Sequence, residues 1–241
     1  MTNSKHFHQL VESRRSVRRY DTDAPFNHDD VQHAIELATL SPNSSNMQMW
    51  EFHRVLSDEK RAQLAEICMG QNAAKTANEL VVVVATPHNW KQRAEMNANV
   101  IRSAFSDRDD KTAQRAVSYY EKLMPVLYNN DRFGLRGFGR KLYSAWLGRK
   151  KPMVREVRKR DVRVTLHKSA SLASMTFMYA MKDKGYDTCP LEGFDSKRAK
   201  QLLGLKKSDQ ICMIISCGVA AEDGVYSERH RVDSKEVIFT H

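Results

Sequence analysis

The sequence is poor in cysteine, and its cysteines form no recognisable pattern. Four of the 241 residues are cysteines, and none belongs to a CxxC pair or has the spacing of a zinc site: Cys68, Cys189, Cys212 and Cys217. We therefore expect reduced, mostly buried thiols and no metal site. No apolar run approaches the ~20 residues that cross a bilayer, and residues 1–15 lack the apolar core of a secretory signal. These absences predict a cytoplasmic protein without a membrane partner.

Several motifs of nucleotide and metal chemistry are also missing. The chain has neither a GxGxxG after a predicted strand nor a GxxxxGK[ST], which argues against a Rossmann dinucleotide site and a P-loop. Its nine histidines include no HExxH and no convincing triad, and we expect His167 to be structural or exposed. The histidines therefore indicate neither a metal centre nor an activated nucleophile.

Positive charge is concentrated in one segment. Residues 91–165 contain 19 of the 39 Lys and Arg residues but only 8 of the 29 Asp and Glu residues. This segment therefore carries +11, and the rest of the chain carries −1. Such a field suits nucleic acid, acidic membranes or anionic substrates, although a solvated helical surface would look the same. We interpret 91–165 as a basic helical insertion, with a glycine- and arginine-rich turn region at 133–140, within a single domain of residues 1–241.

Apolar periodicity predicts more helices than strands. Helices are predicted over 4–13, 28–40, 57–70, 113–127, 164–184 and 195–203, three of them with the N-caps Asn27, Ser57 and Asp195. Buried strands are predicted over Trp50–Val55, Leu80–Ala85 and Ile211–Val219, with a short terminal strand over Glu236–Phe239. Because the order lacks a regular β-α-β alternation, it favours an α+β layer fold over a doubly wound one.

Four polar segments stand out against this background. They read RRSVRRY at 14–20, SPNSSNMQMWEF at 41–52, CPLEGF at 189–194 and YSERHR at 226–231. Each segment alone is ordinary, since arginine runs usually lie on surfaces and polar loops are common. In this order, however, the segments resemble the motifs of the nitroreductase family of FMN-dependent oxidoreductases.

The resemblance covers about residues 5–90 and 165–240. The family pattern R-x-S-x-[RK] is matched by Arg14, Ser16 and Arg18. The family loop Ser-Pro-Ser-Ser-x-Asn-x-Gln-Pro-Trp-x-Phe is matched over 41–52, with Asn43 and Met49 as departures. An Asn-x-x-Lys pair, a Pro-x-Glu-Gly turn and a closing basic pair follow at Asn72–Lys75, Pro190–Gly193 and Arg229/Arg231.

The resemblance implies a fold, an assembly and a chemistry. It implies a nitroreductase-like α+β fold with a mostly antiparallel central sheet flanked by helices, and a homodimer with FMN at the subunit interface. It also implies ping-pong hydride transfer from NADH or NADPH through FMN to an electron-poor small molecule, such as a nitroaromatic, a quinone or an enone. A flavin-fragmenting or dehalogenating enzyme on the same fold is an alternative. A basic nucleic-acid-binding protein is an alternative of another class, for which the basic insertion is the supporting feature.

The same resemblance implies a set of FMN-binding residues. They are Arg14, Arg15, Ser16, Arg18, Pro42, Asn43, Ser44, Asn46, Gln48, Gln71, Asn72, Lys75, Pro190, Leu191, Glu192, Gly193, Arg229 and Arg231. Alternation of an extended segment would turn Arg14, Ser16 and Arg18 to one side, with Arg15 and Arg19 facing elsewhere. Arg15 would then contact FMN through its backbone. Apart from Glu192, whose role stays open between structure and proton transfer, no catalytic side chain is expected.

Charge and hydrogen bonding suggest which part of FMN each of these residues binds. Guanidinium groups of Arg14, Arg229 and Arg231 suit a phosphate. A cation at Arg18, with Lys75 as a second candidate, suits the negative charge that a flavin ring gains on reduction. Asn72 or Gln71 can pair with the pyrimidine edge, and loop 42–48 is expected to reach the partner subunit's FMN. Four insertion aromatics either roof the flavin or pack onto the body: Phe133, Phe138, Tyr143 and Trp146.

Overall fold

A five-stranded sheet lies between two groups of helices in the computed structural model, which describes residues 4–105, 111–131 and 133–241. The strands are β1 (Tyr20–Asp21), β2 (Trp50–Val55), β3 (Glu79–Ala85), β4 (Asp187–Leu191) and β5 (Gln210–Ala220). The helices are α1 (Ser4–Ser13), α2 (His28–Thr39), α3 (Asp58–Ile67), α4 (Asn72–Lys75), α5 (Trp90–Ala104), α6 (Lys111–Ser118), α7 (Met124–Tyr128), α8 (Leu135–Leu147), α9 (Lys159–Asp183) and α10 (Ser196–Leu202). Within the predicted insertion, residues 106–110 and 132 lie outside the described residues.

Strand β5 organises the sheet. It pairs with β3 along Glu79–Ala85, with β4 through residues 214–218 and with β1 through residues 219–220. Strand β2 extends the sheet beyond β3. Each of these pairings is antiparallel, and the predicted α+β fold with an antiparallel sheet is therefore confirmed.

Strand β3 is buried on both faces, as its uninterrupted apolar sequence predicts. Leu80, Val82 and Val84 belong to a cluster that includes residues of α3, α4 and α10. Val81 and Val83 belong to a second cluster, formed with residues of α2 and α9. The alternation follows from strand geometry, which sends successive side chains to opposite faces. The two clusters place β3 and β5 at the centre of the structure.

Two local predictions are wrong. The supposed turn region at 133–140 is largely the first part of α8, which begins at Leu135. Gly137 lies within this helix and does not make a turn. It is buried, and a Cβ on it would lie 3.5 Å from the Cα of Arg158. The supposed terminal strand at 236–239 is replaced by a 3-10 turn over Ser234–Glu236 and exposed irregular chain.

A buried ion cluster lies where β3 begins. The Glu79 side chain is 0% exposed, and its carboxylate accepts hydrogen bonds from Arg54 Nε at 2.6 Å and Nη2 at 3.0 Å. Its other close neighbour is His28, whose Nδ1 lies 2.7 Å from Glu79 Oε2. These hydrogen bonds to Glu79 are the main cause of a raised pKa for Arg54. The cluster joins β2, β3 and the start of α2.

Loss of Arg54 should destabilise the fold more than loss of both members of its pair with Glu79. Arg54→Met leaves a buried carboxylate without its main partner, which should lower the free energy of unfolding by about 3–5 kcal/mol. Arg54→Met/Glu79→Met removes both charges and should recover part of that loss. Chemical unfolding of the two variants gives the comparison. A double variant that is less stable than the single one would contradict this account.

Candidate functional site

Residues from both ends of the chain line one cavity of about 440 Å³. The N-terminal wall is formed by Arg14, Arg15, Ser16 and Arg18, and the C-terminal wall by residues 225–231, which include Arg229 and Arg231. The structure therefore brings together the two arginine-bearing segments that sequence analysis selected, although more than 200 residues separate them. The C-terminal wall also includes Tyr226, Ser227, Glu228 and His230. These four lie in the predicted segment but were not predicted as site residues.

Backbone hydrogen bonds fix the N-terminal wall. Ser16 forms a parallel bridge with Thr188 of β4, and Val17 N–H donates to the Thr188 carbonyl at 3.2 Å. Arg18 N–H donates to the Gly224 carbonyl at 2.7 Å. Val17 is 1% exposed and belongs to the core. One apolar side chain thus anchors a segment whose polar neighbours line the cavity.

Arginine positions in this segment differ in one respect from the predicted alternation. Arg15 also lines the cavity, because its Nη2 reaches across to donate to the Ser227 carbonyl. Arg19 faces elsewhere, as predicted, and forms an exposed ion pair with Asp223 at 2.8 Å. Arg15 thus braces the two walls against each other.

The cavity holds an excess of positive charge, since five arginines line it and Glu228 is its single lining carboxylate. Arg14 is half-buried, and Arg229 Nη2 donates to the Arg14 carbonyl at 2.6 Å. Burial, together with the nearby Arg229 and Arg231, lowers the pKa of Arg14. Among the described residues, no carboxylate lies within ion-pair distance of Arg14, Arg18, Arg229 or Arg231. Guanidinium donors in this state are suited to an anion with several oxygens, such as a phosphate.

Helix α4 links the cavity to the turn that follows β4. Asn72 Nδ2 donates to the hydroxyl of Tyr226 at 3.3 Å, and Tyr226 lines the cavity. Gln71 Nε2 donates to the carbonyls of Cys68 at 2.9 Å and Gly193 at 3.0 Å. The amide nitrogens of both rivals thus have protein partners, which are two backbone carbonyls for Gln71 and the hydroxyl of a cavity residue for Asn72. The other candidate cation, Lys75, has its Nζ 3.6 Å from Glu66 Oε1.

The turn after β4 presents its backbone at the surface. Pro190 and Leu191 end the strand, and the exposed Glu192 and Gly193 follow. A Cβ on Gly193 would lie 3.3 Å from Gln71 Nε2, so a larger residue would disturb that hydrogen bond. In the described parts of the chain, Glu192 enters no ion pair.

Loop 41–48 is held in a strained conformation. Ser45, Asn46 and Gln48 have φ values of 55°, 48° and 47°, in the left-handed region that residues other than glycine rarely adopt. For Ser45 and Gln48 this costs about 1–2 kcal/mol each relative to an ordinary conformation, while asparagine tolerates the region better. Strain of this kind persists where surrounding contacts enforce it, and it clusters at functional sites.

Contacts from the insertion and α9 enforce that conformation. The buried Asn97 accepts from Asn46 Nδ2 at 3.1 Å and donates to the Asn46 carbonyl at 2.9 Å. Tyr120 Oη donates to the Ser45 carbonyl at 3.0 Å, and Ser44 N–H donates to Ser169 Oγ at 3.2 Å. Sequence analysis missed Asn97, Tyr120 and Ser169, since no local pattern links them to the loop.

Asn43 supports the loop from within. Its Oδ1 accepts from Gln48 N–H at 2.8 Å, and its Nδ2 donates to the Ser41 carbonyl at 3.3 Å. Pro42, Ser44 and Asn46 are exposed. None of residues 42–48 lines the arginine cavity of the same chain. The structure thus brings the other predicted segments together and leaves this loop apart.

Comparison with known proteins agrees with this arrangement. A sequence profile described as the Nitroreductase family matches residues 11–219. The Bacillus subtilis protein MhqN, named for NAD(P)H nitroreductase activity, is 26% identical over 214 residues, which cover 88% of this chain and 87% of MhqN. The solved structure of ydfN from Bacillus subtilis superposes with a TM-score of 0.77 at 19% identity, covering 98% of this chain and 99% of ydfN.

A second solved structure is a nitroreductase from Exiguobacterium sibiricum in complex with FMN. It superposes with a TM-score of 0.68 at 22% identity, covering 98% of this chain and 97% of the other. At these identities the superpositions establish the fold. Because the family profile spans most of the sequence, the chain belongs to the nitroreductase family.

Proposed function

We propose that this protein is an FMN-dependent oxidoreductase that passes reducing equivalents from NADH or NADPH to an electron-poor small molecule, such as a nitroaromatic, a quinone or an enone. The observation that carries the proposal is the cavity of unpaired guanidinium groups in a chain of this family. The name of MhqN supports the donor, and the FMN in the Exiguobacterium structure supports the cofactor. When bound, FMN supplies hydride chemistry, so the protein has to bind, orient and electrostatically tune it.

The arginine cavity fits the phosphate of FMN. Arg14, Arg229 and Arg231 would donate charge-assisted hydrogen bonds to the phosphate oxygens, and Ser16 would add a hydroxyl donor. A bound phosphate would offset the burial and, to a lesser extent, the repulsion from Arg229 and Arg231 that lower the pKa of Arg14. Arg15 would act through its bond to the Ser227 carbonyl, which holds the C-terminal wall in place.

Residues at the α4 end of the site suit the flavin ring. Asn72 would pair with the pyrimidine edge, while Gln71 would position the turn that presents Glu192 and Gly193 backbone to the ring. Arg18 lines the cavity without an internal carboxylate partner and would stabilise the charge that FMN gains on reduction. Lys75 would contribute after leaving Glu66.

We further propose a homodimer in which loop 42–48 completes the partner subunit's site. The loop exposes Pro42, Ser44 and Asn46, is strained and lies apart from its own chain's cavity, which supports a role at another subunit. An apolar cluster joins Met47 and Met49 to residues of the insertion and α9, which supports a single domain over 1–241. Sedimentation at falling protein concentration tests the assembly. A stable monomer that retains FMN would rule out the shared site.

The colour of the purified protein tests the proposed function directly. We expect yellow protein, or protein that turns yellow with added FMN, which NADH or NADPH bleaches without oxygen and an electron-poor acceptor then recolours. Protein that cannot be reconstituted with FMN would refute the proposal. Retained FMN without acceptor reduction would favour the flavin-fragmenting or dehalogenating alternative. Colourless protein with steeply salt-dependent oligonucleotide binding would favour the nucleic-acid alternative.

Arg14→Ala should weaken FMN binding. Loss of a charged hydrogen bond corresponds to about 1.5–3 kcal/mol, or roughly 10- to 150-fold in Kd. Fluorescence titration of flavin-free protein measures the effect. The matched control is Arg19→Ala, which removes an arginine of the same segment that lies outside the cavity. Equal Kd values for the two variants would remove Arg14 from the phosphate site.

Arg18→Ala should change the reduction potential of bound FMN more than its affinity. Removing a cation near the ring disfavours the added negative charge, so the midpoint potential should fall by on the order of 30 mV for each 1.4 kcal/mol lost in this two-electron couple. Arg18→Lys keeps the charge and should keep most of the potential. Spectroelectrochemical titration gives the values, and an unchanged potential in Arg18→Ala would exclude this role.

A further inference from the structure

Helix α8 packs its polar side against the rest of the protein. Gly137 and Ser144 are buried, and Ser144 Oγ donates to the Val154 carbonyl. Arg140 is half-buried and donates to the carbonyls of Val126 at 2.7 Å and Val157 at 2.9 Å. A surface helix of a globular protein normally does the reverse and turns its apolar face inward.

The opposite side of α8 is apolar and exposed. The side chains are 54–84% exposed along one stripe that includes the residue before the helix: Phe133, Leu135, Phe138, Leu142, Tyr143 and Trp146. Spacings of three, four and four residues from Leu135 to Trp146 keep these positions on one face. The expectation that the insertion aromatics pack onto the body is therefore wrong. A contiguous apolar patch of this kind usually marks an interaction surface.

Cations surround this stripe. Residues 133–160 contain ten Lys and Arg residues and a single carboxylate, Glu156. Seven of the cations are exposed and form no ion pair with the described residues: Arg136, Lys141, Arg149, Lys150, Lys151, Arg155 and Lys159. A partner for α8 must therefore be apolar where the stripe meets it and anionic around it.

We propose that α8 docks on the surface of a bilayer containing anionic phospholipid. The apolar stripe would enter the boundary between headgroups and acyl chains, and the surrounding cations would lie among lipid phosphates. Asp131 prepares the helix for this role, because its carboxylate accepts from the N–H groups of Leu135 and Arg136 at 2.9 Å each. A helix that is already formed avoids the entropy of ordering on contact.

Two other occupants fit the surface less well. A second copy that met the stripe with its own α8 would bring two strongly basic faces together, which like-charge repulsion opposes. Single-stranded nucleic acid would use the aromatic rings and the cations, but it gives no reason for the exposed Leu135 and Leu142. A lipid surface would contact the aromatic rings, the leucines and the cations alike. Such docking departs from the sequence-based expectation of no membrane partner, which rested on the absence of a membrane-spanning segment. In the described residues no helix has the length and apolarity to cross a membrane, and surface docking requires none.

Vesicle binding of the full-length protein tests the proposal, whatever reaction the protein catalyses. We expect flotation with vesicles of phosphatidylcholine plus phosphatidylglycerol at low salt, and little with phosphatidylcholine alone. Leu142→Ser/Trp146→Ser should weaken binding about tenfold or more. Lys150→Glu/Lys151→Glu should have an effect of similar size. Circular dichroism would check that these exposed substitutions leave the fold intact.

Matched controls separate the stripe from apolar surface in general. Leu56→Ser changes an exposed leucine outside the insertion and should leave vesicle binding unchanged. Trp146→Phe should keep binding but lose most of the tryptophan blue shift, since Trp50 is buried and Trp90 is half-buried. Wild-type protein that stays off anionic vesicles at low salt would overturn the proposal. A stripe variant that retains vesicle binding would also overturn it. Dissociation of a dimer by that variant would then indicate a subunit interface, loss of oligonucleotide binding would indicate a nucleic-acid surface, and a change in acceptor KM alone would indicate a substrate site.

Discussion

The candidate site depends on the attachment of the N-terminal segment to two distant parts of the chain. Val17 N–H donates to the Thr188 carbonyl, and Arg18 N–H donates to the Gly224 carbonyl. The first bond places the segment beside β4, and the second places it beside the chain that leaves β5. The Val17 side chain is held in the core. Its neighbours Arg15, Ser16 and Arg18 therefore line the same cavity. Repulsion among these arginines is tolerated because the sheet, and not the site, provides the stability.

Sequence patterns predicted the strands and helices whose burial follows one regular pattern from end to end. Strand β3 could be read from its apolar residues because both of its faces are buried, and α9 could be read from its buried stripe. Strand β4 was missed because Pro190 lacks an N–H group and its pairing comes from the distant β5. Helix α8 was misread because glycines within it suggested a turn and because its apolar stripe faces outward, so the usual rule for reading an amphipathic helix gives the wrong answer.

The site shows the same division between local and distant information. The arginine segments could be predicted because each motif is contiguous, and their meeting in one cavity agrees with what the family resemblance implied. The contacts that hold loop 41–48 could not be predicted from the sequence. They come from Asn97 and Tyr120 of the insertion, which has no motif of its own. Likewise, only the coordinates show that Gln71 bonds to the turn after β4 and Asn72 to a residue of the cavity, since both amides stand at plausible positions in the sequence.

The C-terminal wall of the cavity lies outside the sheet, so it can be lost without loss of the fold. Residues 225–241 are exposed throughout and contain one short 3-10 turn, while β5 has already ended at Ala220. A trypsin-like protease would find Arg229 and Arg231 accessible, and a cut there would detach part of the arginine cavity while β5 stays whole. Proteolytic nicking near the C-terminus would therefore leave the sheet intact and remove part of the arginine cavity, to which we assign phosphate binding.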